Sequence, residues 1–393
     1  MIHLSKPKFN DNAYKYIKDC LDSSWVSYAG DYVSKLENAV KDYTNAEYAI
    51  ALNGGTSALM LALHIAGVGH NDEVLVPSLT FIATINAIKH VGAEPVFMDC
   101  DNTLNIDSQK TMSFIEKECT TTRLGLQNNR TGRLVKAILP VHIFGNLSDA
   151  PIALNKVAKE NGLRIIEDAA EALGTWSYSG AGQGMHAGTF GDMGILSFSF
   201  NKMITAGGGG MIITNNKEYG EKAKYLALQA KDDAVNYVHN DVGYNLGLTN
   251  IAAALAYSQM EDLGQFLTTH HTCWDTYKEE LKNTPGIELI GPSSKYIKEE
   301  SNFWLIGIKV NKEKFGIDKN ELMRQLYVNG VQTRPLWIPS HLQMPYLKCQ
   351  RYRLEKTELI WKETLCLPSG NTTTAEQCRE VARIINELQK ERS

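Results

Sequence analysis

The chain has 393 residues, of which 43% are hydrophobic and 21% are charged. This length is enough for a sizeable core and exceeds that of most single domains, so we expect two domains. Lysine and arginine number 40 against 44 acidic residues, a balance that argues against nucleic acid or an anionic membrane as a partner and favours a small metabolite.

Two other features of the composition exclude further classes of protein. No run of residues is apolar and long enough to cross a bilayer, and the first residues lack the pattern of a signal peptide, so we expect a cytoplasmic protein. The seven cysteines are scattered and include no Cys-x-x-Cys pair. We therefore expect free thiols and no metal site.

Short apolar runs alternate with helical patterns between residues 45 and 215. Because strands and helices that alternate in this way form a mostly parallel sheet covered on both faces, the predicted fold class is α/β. Helical spacing is clearest at 57–67 and 82–91. The expected strands are residues 48–52, 74–77, 95–98, 137–140, 164–166, 195–200 and 211–214.

The pattern changes after Gly243, where helical spacing continues to about residue 281 and predicts one long helix. The remainder of the chain has the mixed character of a smaller α+β domain. Its expected elements are strands near 301–310, a helix near 319–328 and a last helix at 374–389.

The long helix would carry the chain away from the large sheet, so we place the domain boundary near its start. The large domain is then 1–262, with the N-terminal segment 1–25 packed on it. The small C-terminal domain is 263–393.

A candidate phosphate site lies directly after the first expected strand. Gly54 and Gly55 close the strand, and the hydroxyls of Thr56 and Ser57 stand where the next helix begins. Main-chain N–H groups at a helix N-terminus bind phosphate well. A glycine turn capped by a hydroxyl is equally the ordinary start of a helix, so the motif alone decides nothing. Its spacing does not match the Gly-x-Gly-x-x-Gly of dinucleotide folds or the phosphate loop of nucleotide triphosphatases.

The expected strand at 164–166 leads into acidic residues, among them Glu167 and Asp168. In an open α/β sheet, ligands bind outside the carboxyl ends of the strands, where Asp168 would lie. A buried carboxylate at that position needs a positive partner. A protonated pyridine nitrogen would serve, and the pairing keeps such a ring electron-withdrawing.

Lys202 lies between the aromatic-rich run 197–200 and the four glycines at 207–210. Its neighbours are apolar or small and solvate it little, which favours the neutral amine that attacks a carbonyl. An isolated lysine beside a flexible loop is more often a surface residue. The phosphate motif, the strand-end aspartate and this lysine nevertheless occur along the chain in the order that a cofactor with a phosphate, a pyridine nitrogen and an aldehyde requires.

With these motifs the chain resembles the DegT/DnrJ/EryC1/StrS sugar aminotransferases, which have fold type I, from Trp25 to Pro368. The resemblance implies a pyridoxal 5′-phosphate-dependent aminotransferase. It also implies a large domain with a mixed, mostly parallel sheet covered by helices, and a smaller C-terminal α+β domain. The matching segments are 55–59, 77–84, 140–142, 167–170, 188–192 and 243–245.

The resemblance implies a role for each matching residue. Lys202 would be the catalytic lysine that holds the cofactor as a Schiff base, Asp168 would pair with the ring nitrogen, and Phe81 would stack on the ring. Asn245 would reach the phosphate from a second subunit, so we expect a homodimer with shared active sites. The other expected cofactor contacts are Gly55, Thr56, Ser57, Ser197 and Glu171.

Two positions depart from the pattern of the family. Many relatives have glutamine or histidine where this chain has Glu171, beside the phenolic oxygen of the cofactor. Leu246 and Gly247 stand where the family tends to carry an aromatic residue and an arginine, so one polar contact from that loop would be missing.

Residues 25–27, 231–233 and 332–337, together with the four glycines, are most similar to the LegC-type branch. This implies that an amino group moves from L-glutamate to C4 of a UDP-linked 2-acetamido-2,6-dideoxy-4-ketohexose, on a route to legionaminic acid or a bacillosamine-like sugar. Two half-reactions at one site predict ping-pong kinetics. Candidate substrate contacts are Trp25, Ser27, Arg334 and His341, with His142 as a second histidine.

Several alternatives stay open. Residues 167–171 also match perosamine synthases, which act on a GDP sugar, and a 3-keto sugar is another candidate acceptor. A dehydrating relative would carry histidine in place of Lys202. An NAD-dependent nucleotide-sugar oxidoreductase would need a glycine fingerprint that the sequence lacks, and a cofactor-bound regulator would need an added DNA-binding module.

Overall fold

The computed structural model describes residues 1–180, 182–292 and 297–391. Its strands are β1 Tyr48–Leu52, β2 Glu73–Pro77, β3 Glu94–Met98, β4 Cys119–Thr122, β5 Gly125–Asn128, β6 Val135–Ile138, β7 Arg164–Asp168, β8 Trp176–Gly180, β9 Met193–Ser197, β10 Gly210–Thr214, β11 Lys231–Asp233, β12 Val238–His239, β13 Ile287–Ile290, β14 Ile297–Glu300, β15 Ile306–Val310, β16 Arg334–Pro335, β17 Arg351–Tyr352 and β18 Thr364–Leu367. Its α-helices are α1 Asp11–Asp22, α2 Asp31–Thr44, α3 Gly55–Ile65, α4 Ile82–His90, α5 Ser108–Glu118, α6 Ala150–Ala153, α7 Asn155–Glu160, α8 Lys217–Ala227, α9 Asn250–Met260, α10 Leu263–Leu281, α11 Lys312–Phe315, α12 Lys319–Val328, α13 Glu355–Glu363 and α14 Ala375–Lys390.

The central sheet has eight strands in the order β1-β10-β9-β7-β6-β2-β3-β17. Neighbouring strands from β9 to β17 are parallel, whereas β10 is antiparallel to both β1 and β9. The α/β fold class with a mixed, mostly parallel sheet is therefore confirmed.

Both faces of this sheet are buried, because successive side chains of a strand point to opposite faces. In β1, Ile50 and Leu52 pack in a core with α3, α4 and α8, while Ala49 and Ala51 pack in the core that contains α2 and α9. Two covered faces explain why the strands read as continuous apolar runs in the sequence.

The single helix predicted from about 251 to 281 is wrong, because α9 and α10 are separate helices with a bend between them. At the bend, Glu261 accepts a hydrogen bond from the Tyr16 hydroxyl at 2.7 Å. Asp262 accepts one from Asn10 Nδ2 at 2.9 Å. Contacts with distant residues at the start of the chain hold this bend, and helical spacing cannot reveal them.

The C-terminal part of the chain forms an antiparallel sheet in the order β13-β15-β18-β16. It has its own core, which includes Tyr277 of α10 and side chains of α12 and α14. β17 nevertheless returns to pair with β3, and Ile2 forms main-chain hydrogen bonds with Gly330 and Gln332, while α1 packs on α9. We propose a domain boundary at residue 262, in the bend between α9 and α10.

The part of the chain that the structure describes contains no helix with the length and apolarity to span a bilayer. In the same residues, no three His, Cys, Asp or Glu side chains are grouped so that they could hold a metal ion. All seven cysteines carry free thiols, and six of them are buried.

Candidate active site

A cavity of about 430 Å³ lies at the carboxyl ends of β1, β2, β6, β7 and β9. These ends share one edge of the sheet because the strands run parallel, and ligands of α/β proteins bind at this edge. Trp304, Leu305 and Trp337 from the C-terminal part close the cavity. The predicted site residues that line it are Gly55, Thr56, Phe81, Asp168, Glu171, Ser197, Lys202 and Arg334.

The turn between β1 and α3 forms a cradle of main-chain N–H groups. Gly54 is the N-cap of α3, and no described side chain caps the helix, so its first N–H groups stay open. A Cβ on Gly55 would lie 3.2 Å from Ser197 Oγ. A Cβ on Gly210 would lie 2.6 Å from the carbonyl carbon of Gly54. This close packing requires glycine at positions 55 and 210. The open N–H groups of the turn and the hydroxyls of Thr56 and Ser197 together suit a phosphate.

Asp168 is buried at the end of β7. Its Oδ2 accepts a hydrogen bond from Thr84 Oγ1 at 2.7 Å, and its Oδ1 accepts one from Ala170 N at 3.1 Å. Burial raises the pKa of the Asp168 carboxyl, while these hydrogen bonds and the charge of Lys202 act in the opposite direction. A cationic N–H group in the cavity would stabilise the ionised carboxylate further, as a protonated ring nitrogen does.

Lys202 lies in a turn after β9, where its own N–H donates to Ser199 O at 2.9 Å. Its Nζ lies 3.1 Å from Glu171 Oε1 and 3.7 Å from the centroid of the Trp304 ring. The second oxygen of Glu171 accepts a hydrogen bond from Phe144 N at 2.8 Å. Burial raises the pKa of the Glu171 carboxyl, and the charge of Lys202 opposes this shift. The amine is thus held inside the cavity by an acid and an aromatic face.

Glu167 and His142 lie behind the cavity wall and are fully buried. The Glu167 carboxylate is 2.8 Å from His142 Nε2 and accepts three main-chain N–H bonds of 2.5 to 3.0 Å from residues 188–191. Ser148 N donates to His142 Nδ1 at 2.9 Å. Both ring nitrogens of His142 have partners outside the cavity. The ring therefore connects buried segments of its own chain and does not face the cavity.

His341 does not line the cavity either, contrary to its expected role as a substrate contact. It is 1% exposed, with Nδ1 at 2.7 Å from Ser78 Oγ and Nε2 at 3.2 Å from Glu358 Oε1. Burial lowers the pKa of the His341 imidazole. The ring joins the end of β2 to α13, because both nitrogens find partners there.

Four other predicted residues also lie outside the cavity of their own chain. Trp25, Ser27 and Asn245 are exposed, and Ser57 is half-buried in the first turn of α3. None of the four lines the cavity of its own chain.

Some lining residues were missed by the sequence reasoning. Trp304 comes from the C-terminal part and Leu4 from the N-terminus, and neither lies in a local motif. Thr84, which donates to Asp168, belongs to the matched segment 77–84 but was given no role. A hydroxyl one helical turn after Thr80 at the start of α4 was the available signal for it.

The residues present fit pyridoxal 5′-phosphate. The open N-terminus of α3 suits its phosphate, the buried Asp168 suits its ring nitrogen, and Lys202 can reach an aldehyde between them. The fold and this set of groups define the class of pyridoxal-phosphate-dependent aminotransferases. The chain belongs to the DegT/DnrJ/EryC1/StrS aminotransferase family, whose model matches residues 7–386.

Known proteins of this family are similar over nearly the full chain. The GDP-perosamine synthase of Escherichia coli O157:H7 is 34% identical over 388 residues, 98% of each chain. That of Caulobacter vibrioides is 33% identical over 391 residues, 98% of this chain and 97% of the relative. The crystal structure of a DegT DnrJ EryC1 StrS aminotransferase from Brucella abortus is 25% identical, with a TM-score of 0.84, and covers 96% of this chain and 95% of that one. The chain is thus a pyridoxal-phosphate-dependent sugar aminotransferase.

Proposed function

We propose that this enzyme moves an amino group from L-glutamate to the C4 ketone of a UDP-linked 2-acetamido-2,6-dideoxy-4-ketohexose, as on routes to legionaminic acid or bacillosamine-like sugars. The observation that carries the amino transfer is the grouping of Lys202, Asp168 and the phosphate cradle around one cavity. The choice of UDP sugar rests on the similarity of residues 231–233 and 332–337 to the LegC-type branch.

We assign each step to a residue of the cavity. When bound, pyridoxal 5′-phosphate supplies an aldehyde that joins to an amine and a ring that withdraws electrons. Lys202 Nζ would hold that aldehyde, and once the amino donor takes its place the free amine would move the proton from the donor α-carbon to the cofactor as general base and acid. Asp168 would keep the ring nitrogen protonated. In the second half-reaction the same lysine would carry a proton to C4 of the sugar. Because the two half-reactions use one site in turn, we expect ping-pong kinetics.

The remaining contacts hold the reactants. The hydroxyls of Thr56 and Ser197, with Gly55 N–H, would bind the phosphate, and Phe81 would cover the ring. The Ser57 hydroxyl does not line the cavity of its own chain, and its phosphate contact rests on the resemblance alone. Glu171 balances the charge of Lys202 and, as the resemblance implies, would lie beside the phenolic oxygen. Arg334 is, with Lys202, one of two cations among the described lining residues, and its fork of N–H donors suits a phosphate or carboxylate of the substrates.

We also propose a homodimer whose active sites are shared. Asn245 comes shortly after the β11–β12 hairpin. Val235 and Tyr237 in this hairpin, and Val242 just after it, are highly exposed apolar side chains. Apolar side chains grouped on a surface are typical of an interface, so a second copy would cover them and bring Asn245 to a neighbouring phosphate. Trp25 and Ser27 are also exposed. They lie near the segment that contains Asn245, because Ser27 O accepts a hydrogen bond from Asn250 N at the start of α9.

Mixed dimers test the shared site. Co-expression of a Lys202→Ala chain with an Asn245→Ala chain yields hybrids with one intact site if Asn245 acts across the interface. Activity is then expected in the hybrid although both parent variants are inactive or weak. Inactive hybrids of proven dimeric mass would contradict the proposal.

A second candidate acceptor is a GDP-linked keto sugar, because two of the similar relatives are GDP-perosamine synthases. Purified enzyme incubated with glutamate and the UDP 4-keto sugar, the GDP 4-keto sugar or a 3-keto sugar, followed by mass analysis, separates the candidates. We expect the amino sugar from the UDP substrate. Product from the GDP sugar alone would favour the second candidate, and product only with a 3-keto sugar would refute C4 transfer.

A further inference from the structure

Trp304 makes a direct contact with the amine of Lys202. The nitrogen lies 3.7 Å from the centroid of the indole ring, and the Trp304 side chain is only 4% exposed. A cation over the face of an aromatic ring is attracted to the negative charge of that face, and tryptophan gives the strongest attraction. Glu171 Oε1 lies 3.1 Å from the same nitrogen, so the two side chains together hold a positive charge inside the cavity.

Several hydrogen bonds fix the indole relative to this lysine. Trp304 Nε1 donates to the carbonyl of Asn201, the residue before Lys202, at 2.6 Å. Trp304 N donates to Asn302 Oδ1 at 2.9 Å, and Asn302 Nδ2 donates to the carbonyl of Glu171 at 2.9 Å. The ring is therefore tied to both of the segments that carry its charged neighbours.

The turn that delivers Trp304 has strained backbone. Phe303 has a φ of +48°, in the left-handed region, and its ring stacks on Trp274 at 4.5 Å. A bulky residue in this region costs free energy, and such strain is concentrated at functional sites. The turn sends Phe303 toward the core of the C-terminal part and Trp304 into the cavity.

We propose that Trp304 is a positioning residue that stabilises the free, positively charged amine of Lys202. The inference rests on the proposed role of Lys202 as the lysine that holds the cofactor. That lysine is free whenever the transferred amino group resides on the cofactor, and it is linked when the aldehyde is present. Trp304 thus favours the amino form of the enzyme over the lysine-linked form.

The equilibrium between the two forms tests this directly. Holoenzyme is titrated with glutamate and 2-oxoglutarate while the cofactor absorbance is recorded. In this half-reaction glutamate is oxidised, the cofactor takes up the amino group and the electron pair, and one water supplies the keto oxygen of 2-oxoglutarate. Trp304→Leu removes the ring face and is expected to shift the equilibrium roughly three- to tenfold toward the lysine-linked form.

Two further variants separate the ring face from other effects. Trp304→Phe keeps a weaker ring face and is expected to shift the equilibrium in the same direction, but less. Trp337→Leu removes a ring from the same cavity that packs edge-on against Phe81 and Phe144. Its shift is expected to stay within about twofold.

A binding measurement gives a readout that needs no turnover. The affinities of cofactor-free protein for pyridoxamine 5′-phosphate and pyridoxal 5′-phosphate are measured by calorimetry. Only pyridoxal 5′-phosphate forms a bond with the lysine. Trp304→Leu is therefore expected to change the ratio of the two dissociation constants by the same factor as it changes the equilibrium. A loss of both affinities by one common factor would mean a structural role and would overturn the inference.

The remaining outcomes are also decisive. An unchanged equilibrium in Trp304→Leu, or an equal shift in Trp337→Leu, overturns the inference. If Trp304→Leu does not fold, Trp304→Phe decides: a shift toward the linked form supports the inference, and no shift overturns it. Attachment of the cofactor to another lysine would refute the proposed role of Lys202 itself. The Lys202→Ala variant tests this role separately, because it removes the lysine that is expected to hold the cofactor.

Discussion

At the scale of single residues, the cavity holds two buried carboxyl groups and one amine. Asp168 and Glu171 are 4% and 5% exposed, and burial raises the pKa of each. Lys202 lies 3.1 Å from Glu171 and can balance only one negative charge. A protonated ring nitrogen beside Asp168 would supply a positive charge for the second carboxylate.

Asp168→Asn removes the partner of that nitrogen while keeping the size of the side chain. Breaking a buried charge pair costs about 3 to 5 kcal/mol. If this loss falls on the transition state, kcat drops by roughly 100-fold or more. Steady-state kinetics measures the loss, with Asp275→Asn on the exposed surface of α10 as a control that keeps full activity. A near-normal kcat in Asp168→Asn would show that the carboxylate of Asp168 is not needed for the reaction.

The sequence predicts this group of residues because each comes after a strand, and the carboxyl ends of parallel strands meet. Thr56, Asp168 and Lys202 come together for that reason. Trp304 and Leu4 could not be predicted, because they depend on how the two ends of the chain cross the cavity. His341 is a candidate substrate contact by its residue type, but only packing reveals that Ser78 and Glu358 engage both of its nitrogens.

At the scale of elements, buried polar groups connect the loops beneath the site. Glu167, at the end of β7, joins the 188–191 turn to His142 after β6. The strands themselves were predictable from their apolar runs, whereas this network and the bend between α9 and α10 depend on partners far along the chain. Local patterns report local spacing and burial, not the contacts that end a helix or satisfy a buried acid.

Glu167→Ala leaves three main-chain N–H groups and the His142 ring without their acceptor. We expect a loss of about 3 to 5 kcal/mol in the free energy of unfolding, because buried donors lose a charged partner. Chemical denaturation measures it. Glu160→Ala is the control, since its exposed pair with Lys156 is worth little and its removal should leave stability unchanged. Equal stabilities of the two variants would contradict the network.

At the scale of the whole molecule, distant segments meet around one cavity. Leu4 from the N-terminus and Trp304 and Trp337 from the C-terminal part cover the edge of the large sheet. β14 pairs with β8, which adds a second link between the two parts. The site therefore depends on the docking of the C-terminal part, and this docking includes a half-buried acid, Glu299.

The stability of the molecule is expected to fall with rising pH because of Glu299. Its carboxyl accepts a hydrogen bond from Leu147 N, and burial, with the charges of Asp101 and Asp149, raises its pKa from 4.5 to about 8. The folded protein thus keeps a proton that the unfolded chain has lost. This contribution to stability is complete below pH 4.5 and is lost as the pH rises through about 8.

Glu299→Gln removes the titrating group and keeps an acceptor for Leu147. Its free energy of unfolding should therefore fall less between about pH 5 and about pH 8 than that of the unaltered protein. Denaturant titrations of both proteins at the two pH values measure the difference. Identical slopes would show that Glu299 is ionised in the folded state.

The central claim is that Lys202 binds the cofactor, and reduction with borohydride followed by peptide mapping tests it most directly. Borohydride fixes the cofactor to the lysine that holds it. We predict a yellow protein that loses its colour on reduction, one modified peptide containing Lys202, and no yellow colour in Lys202→Ala. Modification of a different lysine, or unchanged colour in Lys202→Ala, would contradict the account.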